Sequence, residues 1–208
     1  TGLGRDIAIG GSGNDRITMN VGENLAGNIL DGNNLVIADN GTIDYVSDDR
    51  DPRDIDRVSS SDLSLGGNDT VTTGAKNDII LGGPGSDSIT TGDGLTVVFA
   101  DNGVISSAVG YDALALYSAH PLQIGSVQTL QSNADGNDAI TTGSANDILF
   151  GGSGNDTLDA GAGNDLVFGA YGQVSSNVAT SPIDPQTQLP PLCDGPLTFT
   201  SIDTQNAD

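Results

Sequence analysis

Short apolar triads recur along this chain at a spacing of nine residues. Their central positions are Ala8, Ile17, Val36, Val71, Ile80, Ile89, Val98, Ile140, Leu149, Leu158 and Val167. Most of these residues stand two places after an aspartate, in the series Asp6 and Asp15, then Asp69, Asp78 and Asp87, then Asp138, Asp147, Asp156 and Asp165. A fixed short period means that each repeat is one structural unit, which buries apolar surface only by stacking on its neighbours. Each block reads as a glycine-rich turn followed by a short strand that points its central side chain inward and its two neighbours outward. Two blocks then close one coil of about 18 residues, so successive strands fall on opposite sheets of a solenoid.

The outward neighbours carry a second pattern. They are apolar at Ile7/Ile9, Leu35/Ile37, Ile79/Leu81, Val97/Phe99, Ile148/Phe150 and Leu166/Phe168. They are mostly polar at Arg16/Thr18, Thr70/Thr72, Ser88/Thr90, Ala139/Thr141 and Thr157/Asp159. The alternation predicts one solvated sheet and one that is apolar on both faces, and a sheet of the second kind must be covered.

Three long segments interrupt the period, and each leaves after an apolar strand and returns before a polar one. Their ends read as extended and facing, GTIDYV with DIDRVSS, GVISSAV with GSVQTLQ, and GQVSSNV with LTFTSID, so each is expected to be a hairpin-like arm. Folding over the apolar sheet would bury side chains at roughly 1.5 to 3 kcal/mol apiece; an interface with another chain would cover it equally well. The expected organisation is a partial first unit at 1–40, an arm at 41–66, a second unit at 67–102, an arm at 103–135, a third unit at 136–171 and an arm at 172–208 leading to a further repeat. The first unit carries extra residues around Met19 to Ile29. QSNAD at 131–135 returns as TQNAD at 204–208, which reads as a module from a longer array.

Composition narrows the partners. Twenty-eight acidic residues against six basic ones give a formal charge of −22, a surface unsuited to nucleic acid or anionic membrane and suited to cations. No apolar run is long enough to span a bilayer as a helix. Cys193 is the only cysteine, so no disulfide within the chain braces the fold, and His120 has no second histidine with which to share a metal.

The turns supply the chemistry. GGSGND at 10–15, GGPGSD at 82–87 and GGSGND at 151–156 place glycines where the backbone must take φ > 0 and turn its carbonyls toward a common point, then end on a carboxylate. Calcium takes six to eight oxygens from such carboxylates and carbonyls. Stacked coils bring equivalent aspartates to within about 5 Å, where they repel unless a cation lies between them. An Asx-turn without metal explains a single aspartate well and a stacked ladder of them poorly.

These motifs resemble the RTX family, secreted bacterial calcium-binding repeat proteins whose nonapeptide reads G-G-x-G-x-D before an aliphatic strand residue. The resemblance covers most of 1–18, 66–102 and 135–169, and implies a parallel β-roll, all-β with two short-stranded parallel sheets. It also implies several Ca2+ ions, each between turns one coil apart. The implied ligands on one edge are Asp15, Asp69, Asp87, Asp138 and Asp156, and on the other Asp6, Asp78, Asp147 and Asp165. The carbonyls of Gly11, Gly13, Gly83, Gly85, Gly152 and Gly154 complete the set. Asn34 and Thr96 break the second edge, and Asp31 and Asp93, three residues earlier, stand there as shifted ligands or as none. Asp39 and Asp101, in the ADNG sequences that open two arms, bind another cation or cap a turn, and Ala170 in the third copy favours the cap.

The expected function is structural: a module of a bacterial extracellular fibre, adhesin or matrix protein, secreted or on the cell surface, that folds and stiffens as calcium binds. Further repeats of the same chain, or identical chains meeting through the apolar sheet or the arms, are the expected protein partners. The chain has no HExxH, no GxSxG and no histidine partner for a nucleophile, so catalysis is expected to lie elsewhere. Two alternatives remain open. The chain is the RTX region of a toxin or hydrolase whose catalytic domain lies outside it, or the hydroxyl ladder on the solvated sheet binds ice.

Overall fold

A computed structural model describes residues 6–19, 32–47, 55–107, 124–134, 136–176 and 197–202. The insertion after Met19, Asp31, His120, Cys193, the TQNAD sequence and much of each arm lie outside the described residues. No helix of the described residues is long and apolar enough to cross a membrane.

The nine-residue period becomes two parallel sheets. One contains β1 (Ile7–Ile9), β3 (Leu35–Ile37), β7 (Asp78–Leu81), β9 (Thr96–Phe99), β13 (Ile148–Phe150) and β15 (Leu166–Phe168), in that order. The other runs from β2 (Arg16–Thr18) through β6 (Thr70–Thr72), β8 (Ser88–Thr90) and β12 (Ala139–Thr141) to β14 (Thr157–Asp159). The register is in phase throughout: Ala8 pairs with Val36, Val36 with Ile80, Ile80 with Val98, Val98 with Leu149 and Leu149 with Val167. The apolar and polar triads therefore separate cleanly, one kind to each sheet. The fold is an all-β parallel β-roll.

Inward side chains meet between the sheets. Val36, Val71, Ile80, Ile89, Val98, Ile140 and Leu149 are buried, joined by Met19, Ala38 and Ala100, with Ala8, Ile17 and Leu158 partly buried against them. Val167 occupies the same pattern position but is 44% exposed. The apolar sheet has six strands and the polar one five, so among the described residues no strand lies opposite β15 to close over it.

The central strands of the apolar sheet are buried on their outward face as well. Leu35, Ile37, Leu81, Val97, Phe99, Ile148 and Phe150 are all buried, whereas Ile9 on the first strand is exposed. Because parallel strands put identical positions in line, Phe99, Phe150 and Phe168 stack as a column, with ring centroids 4.7 and 4.9 Å apart and planes within 7°. On the polar sheet the outward positions form two columns in register, of which one reads Thr18, Thr72, Thr90, Thr141 and Asp159.

The chain forms two compact units. The roll is Thr1–Gly41, Ser60–Gly103 and Thr129–Tyr171; the other unit is Thr42–Ser59, Val104–Gln128 and Gly172–Asp208. Where the sequence suggests three separate hairpins, the arms join into one six-stranded sheet. Its order is β17 (Leu197–Ser201), β16 (Gly172–Ser176), β11 (Ile124–Thr129), β10 (Gly103–Ser107), β5 (Arg57–Ser60) and β4 (Gly41–Asp44). Antiparallel pairing of β5 with β10 and of β11 with β16 links one arm to the next. A lone hairpin is marginal in water, and merging leaves two edges in place of six.

Candidate metal centre

The recurring aspartates form two ladders along the edges of the roll. On the first edge the backbone N–H of Asp15 donates to Asp69 Oδ1 at 2.7 Å and that of Asp69 to Asp87 Oδ1 at 2.8 Å. Asp87 N–H donates to Asp138 Oδ1 at 2.7 Å, and Asp138 N–H to Asp156 Oδ1 at 3.0 Å. The structure thus brings all five residues expected on that edge into one line.

The second edge repeats the arrangement with substitutions. Asp6 N–H donates to Asn34 Oδ1, Asn34 N–H to Asp78 Oδ1, Thr96 N–H to Asp147 Oδ1 and Asp147 N–H to Asp165 Oδ1. Asn34 reproduces the acceptor without the charge. Thr96 has no carboxamide or carboxylate to offer, and its hydroxyl turns to the Gly94 carbonyl at 3.1 Å. Asp93 is exposed and accepts a bond from the Ser144 hydroxyl at 3.1 Å.

A second ladder runs beside the first, and sequence reasoning passed over it. Asn14, Asn68 and Asn137 Oδ1 accept the N–H groups of Asn68, Ser86 and Asn155, and Ser86 Oγ accepts that of Asn137. Asn33, Asn77 and Asn146 do the same on the other edge for Asn77, Leu95 and Asn164. The signal lay in the residue before each aspartate, which is asparagine in most repeats. These bonds satisfy turn N–H groups and leave the carboxylates facing inward.

Where an aspartate accepts a ladder bond it does so through Oδ1, and in three turns Oδ2 stands beside the opening glycine. A Cβ added to Gly82 would stand 2.6 Å from Asp87 Oδ2, and one on Gly10 or Gly151 would stand 2.9 Å from Asp15 Oδ2 or 2.8 Å from Asp156 Oδ2. Next in each turn come glycines with positive φ: Gly11 and Gly13, Gly83 and Gly85, Gly152 and Gly154. Gly161 and Gly163 share that conformation in the variant turn AGAGND, which the GGxGxD motif had hidden. Carbonyl oxygens pass from coil to coil, with Gly13 O against Gly67, Gly67 O against Gly85, Gly85 O against Gly136 and Gly136 O against Gly154.

The electrostatics of these carboxylates are adverse without a counter-charge. Asp69 Oδ2 and Asp87 Oδ2 are buried with no hydrogen-bond partner. Burial first, and then the charges of Asp138, Asp69 and Asp39, push Asp87 up to about 8 against the Asp69 N–H bond that lowers it. Burial, with the charge of Asp15 added, raises Asp69 to about 6. Asp147 is raised by burial and, less, by Asp165, although the Thr96 N–H bond opposes the shift.

Such a site fits a hard cation. Carboxylate and carbonyl oxygens are what Ca2+ takes, and a positive ion offsets both the desolvation and the repulsion. Among the described residues no three His, Cys, Asp or Glu side chains gather into one metal-binding group, so most of any shell must come from backbone carbonyls. That requirement accounts for the glycines.

Comparison with known proteins agrees. The family model for the RTX calcium-binding nonapeptide repeat matches in four copies over residues 1–23, 64–95 and 133–167. No curated protein and no solved structure matches the chain. Aspartate ladders, positive-φ glycines and matched nonapeptides coincide in the same turns, and over those residues the chain carries RTX calcium-binding nonapeptide repeats, a repeat type that binds several Ca2+ ions.

Proposed function

We propose that this chain is a structural module of a bacterial extracellular fibre, adhesin or matrix protein, which folds and stiffens when Ca2+ enters its turns. The ions are held by Asp6, Asp15, Asp69, Asp78, Asp87, Asp138, Asp147, Asp156 and Asp165 with the carbonyls of Gly11, Gly13, Gly83, Gly85, Gly152 and Gly154. The reading rests on the buried, partnerless oxygens of Asp69 and Asp87 inside carbonyl-lined turns. Leaving such oxygens unpaired costs about 1 to 3 kcal/mol each, more when charged, and a bound cation turns that penalty into folding energy.

The charge of −22 gives the calcium dependence a direction. Where calcium is scarce, as inside a cell, the acidic chain repels itself and stays open; in a calcium-rich exterior it closes. The work of the module is spacing and rigidity, not catalysis, and any enzyme lies outside these residues.

Circular dichroism during a Ca2+ titration of the 208-residue chain tests the proposal. The expected result is a cooperative coil-to-β transition that Mg2+ reproduces poorly, because Mg2+ demands a tighter octahedral shell. A β spectrum that a chelator leaves untouched would refute it. The threonine column, exposed at Thr90 and Thr141 and half-buried at Thr18 and Thr72, is the feature that favours an ice-binding role, and an ice-shaping assay separates the two, since a plain scaffold leaves ice growth unchanged.

A further inference from the structure

The arms break the roll at a defined point within a turn. Asp39 follows Ile37 by two residues, as Gly11 follows Ile9, Gly83 follows Leu81, Asp101 follows Phe99, Gly152 follows Phe150 and Ala170 follows Phe168, and the strands holding those reference residues pair in register. An aspartate therefore stands in two arm-bearing coils where a regular turn has a positive-φ glycine. After the arm the chain returns at Gly66 and Gly67 to complete the turn with Asn68 and Asp69.

The corner aspartates do not face solvent. Asp39 is 1% and Asp101 2% exposed. Asp39 Oδ2 lies against the Cα of Gly83 and of Gly66, where an added Cβ would collide with it, and the Pro84 carbonyl faces Gly66 from the same side. Asp101 Oδ2 lies in the same way against Gly152. Asp39 interacts by charge with Asp69, Asp15 and Asp87, all in the first ladder.

A turn cap does not account for this placement. The bond Asp39 accepts comes from Gly67, long at 3.4 Å and across the coils, and Asp101 accepts one from Ser153 at 2.7 Å. The Asp39 acceptance does not stay within the corner, as an Asx-turn would require. A cap uses one oxygen, and Asp39 Oδ1 is buried without a partner.

We propose that Asp39 and Asp101 are additional calcium ligands outside the nonapeptide motif, each bringing a further carboxylate to the first-edge site beside its arm. This rests on the reading that the turns hold Ca2+. It divides the ions into two classes: those at the Asp39 and Asp101 corners, with an extra negative ligand, bind more tightly than those in the other turns. Two of the three arms then leave the roll at its most firmly held points, and the third, at Ala170, does not.

Ca2+ binding to the full chain, followed by native mass spectrometry for stoichiometry and by chelator competition for affinity, tests the assignment. Asp39→Asn keeps an oxygen that can accept the Gly67 bond and removes the charge, whereas Asp39→Ala removes both. A ligand role predicts that both variants weaken the tightest class about tenfold or more, since ligand charge tunes Ca2+ affinity over decades. If Asp39→Asn binds like the wild type and only Asp39→Ala is weakened, the corner is a cap and the proposal fails. Asp101→Asn and Asp101→Ala give an independent pair should the Asp39 variants not fold. Asp69→Asn, in the regular ladder, serves as the control: if it also binds normally, the calcium reading of the turns is what has failed.

Discussion

Replacing Asp87 with asparagine should change the stability of the roll in opposite directions with and without calcium. Asp87 is 3% exposed, its Oδ1 accepts the Asp69 N–H, and its Oδ2 is buried without a partner. In the metal-free fold its pKa is raised from 3.8 to about 8, so at pH 7 the folded chain must take up a proton that the unfolded chain does not hold. At about 1.36 kcal/mol per unit over the interval from 3.8 to 7, this costs on the order of 4 kcal/mol. A carboxylate raised in the fold favours folding below its ordinary pKa and loses that contribution as pH climbs through the folded value. Asparagine keeps an acceptor for Asp69 and has no proton to take up, so the metal-free roll gains most of that energy. With calcium the sign reverses, because a site held at a hundredfold over its Kd contributes about 2.7 kcal/mol, and the variant forfeits much of it. Urea unfolding at pH 7 followed by far-UV circular dichroism, in EGTA and in saturating CaCl2, reads both arms. An osmolyte such as sucrose in every sample lifts the metal-free form into a measurable range. A change of the same sign in both media would show that the burial of Asp87 is not what calcium offsets.

Three further outcomes follow from the same geometry. In EGTA the chain should gain β signal as pH falls from about 8 toward 4, because burial raises Asp39 to about 7, Asp69 to about 6 and Asp87 to about 8; in calcium the same acidification should expel the ion and shift the titration midpoint upward. Gly85→Ala should raise the calcium midpoint well beyond Gly11→Ala: both have positive φ and a strain cost of about 1 to 3 kcal/mol, but only at Gly85 does the new Cβ strike a neighbour, the Gly67 carbonyl. Leu149→Ala should cost about 2 to 5 kcal/mol in thermal or urea melts, whereas Val167→Ala, at the same pattern position but 44% exposed, should cost under about 1 kcal/mol.

The contrast between Leu149 and Val167 shows what a periodic sequence reveals and what it withholds. Period and alternation fix which residues face inward and which sheet each strand joins, because the strand repeat of two and the coil repeat of two blocks act on every unit alike. They do not show which strand lacks an opposite among the described residues, and so they treat Val167 as core. The same limit applies to the arms. Facing extended ends identify GQVSSNV and LTFTSID as partners, and β16 does pair with β17, but nothing local in either segment encodes the pairing of β11 with β16 from another arm. Such pairing joins strand edges that lie far apart along the chain, and no local pattern records which edge will meet which.

The candidate site was legible wherever the motif was intact and obscured wherever an arm cut through it. GGSGND and GGPGSD announce their glycines and carboxylates directly. The turn that begins at Ala38, Asp39 and Asn40 resumes only at Gly66, so a reading along the chain sees an ADNG corner and, much later, a GGND fragment. Neither half resembles a metal site alone. The strand register rejoins them and sets Asp39 in the column of Gly11, Gly83 and Gly152, where the regular turns have positive-φ glycines. A charged side chain in that column requires glycines at Gly66 and Gly83 to make room for it, and both are present. Substitution and accommodation occur together, which is the pattern of a site built to hold a charge and not of a turn that has merely lost its glycine.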